Sequence, residues 1–171
     1  MESRETINPC TIRQATLGDI NGICAVENSA FPSHRQASRE ILMNRIKLFP
    51  EGCYVAICDG EIAGFSTALI INDLKSLETL DPPDEQLHNL QGNTYYLRSV
   101  GIKPECQGKG LGKALVTQQV EHAQILNKDY FRFTSSEDVE EFYTKLGFAR
   151  ITDYCDFHGS VQAVWEMSLR S

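Results

Sequence analysis

Apolar and polar positions along the chain read as strands and helices in turn. "CTIRQA" (10–15) alternates with the two-residue period of a strand, and "TLGD" behind it sets Thr16 and Asp19 at capping-box spacing, which predicts a helix start. On that helix Ile20, Ile23, Cys24, Glu27, Ala30 and Phe31 share one face, so Glu27 stands as a carboxylate inside an apolar stripe. A second helix is predicted through "REILMNRIKLF" (39–49), stopping before Pro50 and Gly52. "CYVAICDGEIAGFSTALII" (53–71) reads as a hairpin, with Asp59-Gly60 as the tight turn between two β-prone runs. Residues 72–93, polar and acidic with Pro82 and Pro83, read as a long surface loop, a feature that in a compact domain is functional or flexible.

The strand "TYYLRSVGI" (94–102) follows, then a helix from about Leu111 to Leu126. Its apolar positions 111, 114, 115, 116, 120, 123, 125 and 126 cover a broad surface, as suits a helix laid against a sheet. After the strand "YFRFTS" (130–135) comes a helix capped by Ser135 or Ser136, with an apolar face of Val139, Phe142, Tyr143 and Leu146. Two last strands, "ARITDYCDF" and "QAVWEMSL", flank His158-Gly159-Ser160. With no internal repeat, the order implies a single mixed α/β or α+β domain over residues 1–171.

Composition narrows the partners. The chain is 42% hydrophobic and 23% charged with net charge -7, enough for one core and unfavourable for nucleic acid, which needs a basic surface. A cationic small molecule fits the charge better. Six cysteines show neither CxxC nor Cys/His spacing, so reduced thiols packed as small hydrophobes and no metal site are expected. "MESRETINPC" has no apolar signal region and no window reaches about 18 apolar residues, so a soluble cytoplasmic protein without a membrane partner is expected.

The segment "LRSVGIKPECQGKGLGKALV" (97–116) is the strongest chemical signal. A Walker loop would need Gly at Gln107 and Ser or Thr at Ala114; the dinucleotide fingerprint would need Gly at Lys113. What remains is a Gln-x-x-Gly-x-Gly turn between strand and helix, Gln107 to Gly112. Such a turn offers successive main-chain N–H groups at the positive end of a helix, and Gly108, Gly110 and Gly112 let a phosphate approach them. Gln107, Lys109 and Lys113 add donors and positive charge. A pyrophosphate fits, and an ordinary glycine-rich turn is the alternative.

"VGIKPECQGKGLGKALV" resembles the acyl-CoA signature of the GNAT superfamily of N-acetyltransferases, whose turn of this pattern holds the CoA pyrophosphate. The element order agrees over nearly the whole chain, implying a mixed central sheet of about seven strands with about four helices. "VENSAFP", "PEGCYVAICDGEIAGF" and "EDVEEFYTKLGF" are similar to the arylalkylamine N-acetyltransferases and their microbial relatives. The vertebrate members place two histidines on the central strand; this chain has Tyr96 and Arg98 there.

The resemblance implies acetyl-CoA as cosubstrate and direct transfer of acetyl to a primary amine. An alkylammonium near pKa 10 must lose a proton at a cost of roughly 4 kcal/mol at neutral pH, so a base is required. Glu27 is the first candidate, since burial raises a carboxylate's pKa toward the working pH; a structural pairing with Arg98 or another buried donor is the alternative. Tyr96 with ordered water is the second candidate. Tyr143 matches the superfamily's general acid for the departing thiolate, with a core aromatic as the alternative reading. The resemblance also puts the backbone of Val100 and Ile102 against the pantetheine and acetyl group, where N–H groups stabilise an oxyanion.

Acceptor specificity is expected from Phe31, Pro32 and Arg98 and from the acidic loop, where Asp73, Glu78, Asp81, Asp84 and Glu85 either attract a cation or are simply solvated. Cys106 and the four histidines carry no expected role. Rival readings are the same donor with a polyamine, an amino acid or a protein amine as acceptor, and a non-catalytic CoA-binding module. A monomer or homodimer suits either.

Overall fold

A computed structural model describes residues 10–73 and 82–170. They form two compact units, residues 10–66 with 100–116 and residues 67–73 and 82–99 with 117–170. The eight described strands follow the hydrogen-bonded order β1-β2-β3-β4-β5-β8-β6, with β7 on β8. Their ranges are β1 Thr11–Gln14, β2 Tyr54–Cys58, β3 Glu61–Ile71, β4 Thr94–Ile102, β5 Tyr130–Ser135, β6 Ala149–Arg150, β7 Cys155–Phe157 and β8 Ser160–Ser168.

In the first unit, β2 pairs antiparallel with both β1 and β3. The β2–β3 turn is Asp59-Gly60, with φ of 53° and 77°, the left-handed pair that a tight hairpin turn requires. Helix α1 (Ile20–Ala30) follows a capping box in which Thr16 and Asp19 satisfy each other's backbone donors. Arg13 grips the same Asp19 carboxylate with two bonds of 2.8 Å. Helix α2 (Arg39–Leu48) starts at Ser38, whose hydroxyl accepts from Ile41 N. Ile20, Ile23 and Val26 of α1 and Leu42 and Ile46 of α2 pack on Val55 and Phe65. A separate cluster joins Ala56, Cys58 and Ala63 to Leu111 and Leu115 of α4 (Leu111–Ile125).

The expectation of reduced thiols needs correction at one pair. Cys10 and Cys58 form a disulfide, with Cα atoms 4.4 Å apart. The cause is register: β1 pairs Thr11 with Ile57, which brings the residue before Thr11 opposite the residue after Ile57. Cys24, Cys53, Cys106 and Cys155 are not disulfide-bonded. The bond closes a loop across a sequence separation of 48, so reduction is expected to lower stability by about 2–4 kcal/mol. Denaturant melts with and without reductant, compared with Cys10→Ser, check this.

In the second unit, β5 runs parallel to β4 and antiparallel to β8. Phe131, Phe133, Phe148 and Trp165 form its aromatic core, each at most 4% exposed. Three expectations change here. The stretch read as loop contains a short helix, α3 (Asp84–Leu87), with Asp84 buried. "ARITDYCDF" is two short strands, β6 and β7, interrupted where Thr152 Oγ1 takes the backbone N–H of Val164. The helical stretch opens at Ser136, the N-cap of a 3-10 turn (Glu137–Val139) that runs into helix α5 (Glu140–Lys145), although the Ser136 hydroxyl donates to the Asp138 carboxylate and caps no backbone N–H. Its supposed apolar face is only partly covered: Val139 and Phe142 are exposed. No helix among the described residues is long and apolar enough to cross a membrane.

Candidate active site

In the first unit the glycine segment leaves β4 through a 3-10 turn (Pro104–Cys106) and enters α4. Gly108 and Gly110 have φ of 82° and 81°, a conformation L side chains rarely adopt, and a Cβ at either would meet nothing within 4 Å. The turn is therefore glycine for backbone conformation and faces open space, as an approaching ligand needs. The bond from Ala114 N to Gly110 O is the first of the helix, so the N–H groups of Leu111, Gly112 and Lys113 have no intrahelical acceptor. Gln107, Lys109 and Lys113 are exposed around these donors, while buried Leu111 anchors the helix start. The residues present fit an anionic diphosphate held mainly by main chain. Cys106 packs into the cluster beneath the turn.

The same unit places the end of α1 against β4. A Cβ on Gly101 would lie 2.9 Å from the Phe65 ring, 3.2 Å from the Phe31 ring and 3.4 Å from Val26, so only glycine admits this approach. Phe31 thus sits beside the backbone between Val100 and Ile102, with exposed Pro32 next to it. Four residues earlier on α1, Glu27 is 3% exposed. Its Oε1 accepts the Ala37 backbone N–H at 3.0 Å, and its buried Oε2 has no hydrogen-bond partner among the described residues. Burial pushes the Glu27 carboxyl above its ordinary range, and the Ala37 N–H and the charge of Arg45 only partly oppose that. The α1–α2 connection is held by Gln36, whose amide donates to the carbonyls of Phe31 and Asn28 at the helix end. An open cleft lined by Cys24, Asn28, Ser33, Gln36, Ala37 and Ser38 runs beside it.

In the second unit the β4–β5 register covers only Thr94–Tyr96 against Tyr130–Arg132, while β5 continues along β8 to Ser135. Past Tyr96, β4 has no β5 partner. Arg98 lies two residues beyond this fork. Its Nε donates to Asp84 Oδ1 at 3.2 Å and its Nη1 to the Tyr96 hydroxyl at 2.9 Å. The structure therefore corrects one pairing considered from sequence: Arg98 is joined to Asp84, and Glu27 is held by Ala37. The acidic loop changes too, since Asp73 pairs with Arg132 and Asp84 with Arg98; Glu78 and Asp81 lie outside the described residues.

Tyr143, on α5, packs with Phe133, Phe142, Phe148 and Trp165 at centroid distances of 4.3, 5.0, 6.0 and 6.4 Å. Desolvation pushes its phenol up to about 12. Against a thiol near 8.5, transfer from such a phenol is uphill by about 5 kcal/mol. Sequence reasoning missed Asp84 as the partner of Arg98, which lies 14 residues away in a stretch with no periodic signal. It also missed fully buried Gln119, which with His122 binds the Tyr95 hydroxyl and leaves no apolar mark in the helical pattern. Among the described residues no group of three or more His, Cys, Asp or Glu could hold a metal ion.

Comparison with known proteins is consistent with this geometry. The uncharacterized N-acetyltransferase YkwB of Bacillus subtilis (strain 168) is 31% identical over 121 residues, 65% of this chain and 54% of that protein. The chain thus spans about half the length of that curated relative. Two solved structures share the fold. The GphF GNAT-like decarboxylase in complex with isobutyryl-CoA has a TM-score of 0.76 at 19% identity, covering 94% of this chain and 100% of that one. The PaiA N-acetyltransferase of Thermoplasma acidophilum in complex with coenzyme A has a TM-score of 0.69 at 16% identity, covering 94% and 99%. Residues 20–148 match the model of the acetyltransferase (GNAT) family, and the chain belongs to that family.

Proposed function

We propose that the chain is one acyl-CoA domain acting as an acetyl-CoA-dependent N-acetyltransferase, with a small arylalkylamine-like primary amine as acceptor. The observation that carries this reading is the exposed turn with left-handed Gly108 and Gly110 ahead of the free N–H groups of α4. Family membership supports the donor, and the likeness of "VENSAFP" and "EDVEEFYTKLGF" to arylalkylamine acetyltransferases supports the acceptor class.

Bound acetyl-CoA would supply an activated acetyl thioester. The turn from Gln107 to Lys113 would hold its diphosphate, and the backbone of Val100 and Ile102 would line the acyl end. Phe31 and Pro32 would offer the acceptor an apolar edge. Glu27 would take the ammonium proton, directly or through water, and its raised pKa makes it a better match for that task than a solvated carboxylate. Tyr96 with water is the reserve for the same step. Tyr143 would return a proton to the sulfur; with its phenol near 12 it stays protonated across the working range, and ligand contact must make it more acidic than it is alone.

Tyr143→Phe separates this role from packing. The ring contacts stay and only the hydroxyl goes, so kcat is expected to fall about 10- to 100-fold while acetyl-CoA affinity and Tm stay close to native. In native protein no loss of rate assignable to Tyr143 is expected below about pH 11, because the group deprotonates only near 12. Full kcat in the variant would return Tyr143 to the core.

A further inference from the structure

We propose that Gln36 is a positioning residue for Glu27: its amide clamps the end of α1 so that the next residue, Ala37, keeps its backbone N–H on the Glu27 carboxylate. This deepens the acetyltransferase reading and rests on Glu27 as its base. Helix α1 ends without a glycine, its C-cap Phe31 being extended, so the carbonyls of its last turn need partners from elsewhere in the chain. Gln36 supplies one from beyond the 3-10 turn Ser33–Arg35, its Nε2 donating to Phe31 O at 2.8 Å and to Asn28 O at 3.2 Å. On the other side Ser38 caps α2 by accepting from Ile41 N. Ala37 stands between these two anchors, its N–H 3.0 Å from Glu27 Oε1.

That N–H is the one hydrogen-bond donor on the Glu27 carboxylate among the described residues, since Oε2 is buried and unpartnered. Of the charged groups nearby, Arg45 of α2, itself 5% exposed, acts on the carboxylate through space. Arg39 is turned to Asn21 Oδ1 at 2.6 Å, and His34 and Arg35 are exposed. Against β2 and β3 the face of α1 packs on apolar Val55 and Phe65, and the titratable neighbour on α1 itself is the Cys24 thiol. Burial favours the neutral acid, so the Ala37 N–H and Arg45 together keep the ionised form within reach. Releasing the Gln36 clamp frees Ala37 to move off and leaves the carboxylate to burial and Arg45 alone.

Gln36→Met keeps the length of the side chain and removes its donor. The Glu27 carboxyl carbon is titrated by NMR in the CoA-free protein, its signal assigned by its absence in Glu27→Gln, and kcat/KM is measured against pH. Weakening a bond to the charged form should raise the Glu27 pKa by about one pH unit. The acid limb should move to higher pH with it, lowering kcat/KM about 10-fold on the acid side and leaving the alkaline plateau within about 3-fold of native. Ala37→Pro, which deletes the N–H itself, should raise the pKa at least as much. An unmoved pKa in Gln36→Met would overturn the proposal, and a rate lowered equally at every pH would then mark Gln36 as packing alone. A raised pKa with an unmoved acid limb would uphold the Gln36 clamp and count against Glu27 as the base.

Discussion

Replacing Gly110 with valine is expected to lower affinity for acetyl-CoA by roughly 100-fold or more, as two or more main-chain bonds to a charged ligand would be lost. Two causes act together. At φ of 81° a β-branched residue is strained, so the turn relaxes and the following N–H groups lose their common direction. The new side chain also projects into the space in front of them, which in the native turn is empty to 4 Å. The cost to folding should be smaller, about 1–3 kcal/mol, because nothing packs on the glycine and the turn is exposed. Titration with CoA alongside a thermal melt distinguishes the two effects. Gly64 should behave the opposite way: a Cβ there would come within 2.6 Å of Ile102 and 3.0 Å of the Gly101 carbonyl, so valine costs stability first.

Glu27→Gln should lower kcat/KM by roughly 100- to 10,000-fold, the usual worth of a positioned base. Only the ionised carboxylate can accept a proton, so the native rate should rise through the Glu27 pKa, above the ordinary carboxyl range, and the acid limb should disappear in the variant. The stability sign is opposite to that of a salt-bridged carboxylate. A folded-state pKa raised by burial favours the protonated form, so this group's contribution is fully present below the unfolded pKa and fades as pH rises through the folded one. Glutamine keeps the acceptor for Ala37 N–H and removes the charge, so at neutral pH the variant is expected to be at least as stable as the native chain. A stable variant with native kcat/KM and an unmoved acid limb would shift the base role to Tyr96 with water.

Local signals in the sequence carried far. Thr16 and Asp19 mark the start of the first helical turn through a reciprocal bond three residues apart, and β4 and β5 follow their β-rich runs to the residue. The glycine turn was legible because left-handed conformations leave few alternatives to glycine. Features set by distant pairing were not legible. The Cys10–Cys58 bond depends on the β1–β2 register across 48 residues, and Arg98 finds Asp84 through a helix of four residues hidden in a polar stretch. Glu27 shows both sides: its place in an apolar stripe announced burial, but its bond to Ala37 arises where the chain returns toward α2. Tyr143 was placed by pattern, whereas the desolvation of its hydroxyl comes from Phe133 and Trp165 on other strands.

Thiol release from acetyl-CoA over a panel of primary amines, with the N-acetyl product identified by mass spectrometry, tests the acetyltransferase reading most directly. Stoichiometric thiol and N-acetyl amine, both strongly reduced in Gly110→Val at sub-saturating acetyl-CoA and in Glu27→Gln, are the expected result. Tight CoA binding with no thiol released on any amine would contradict it and make the chain a CoA-binding module.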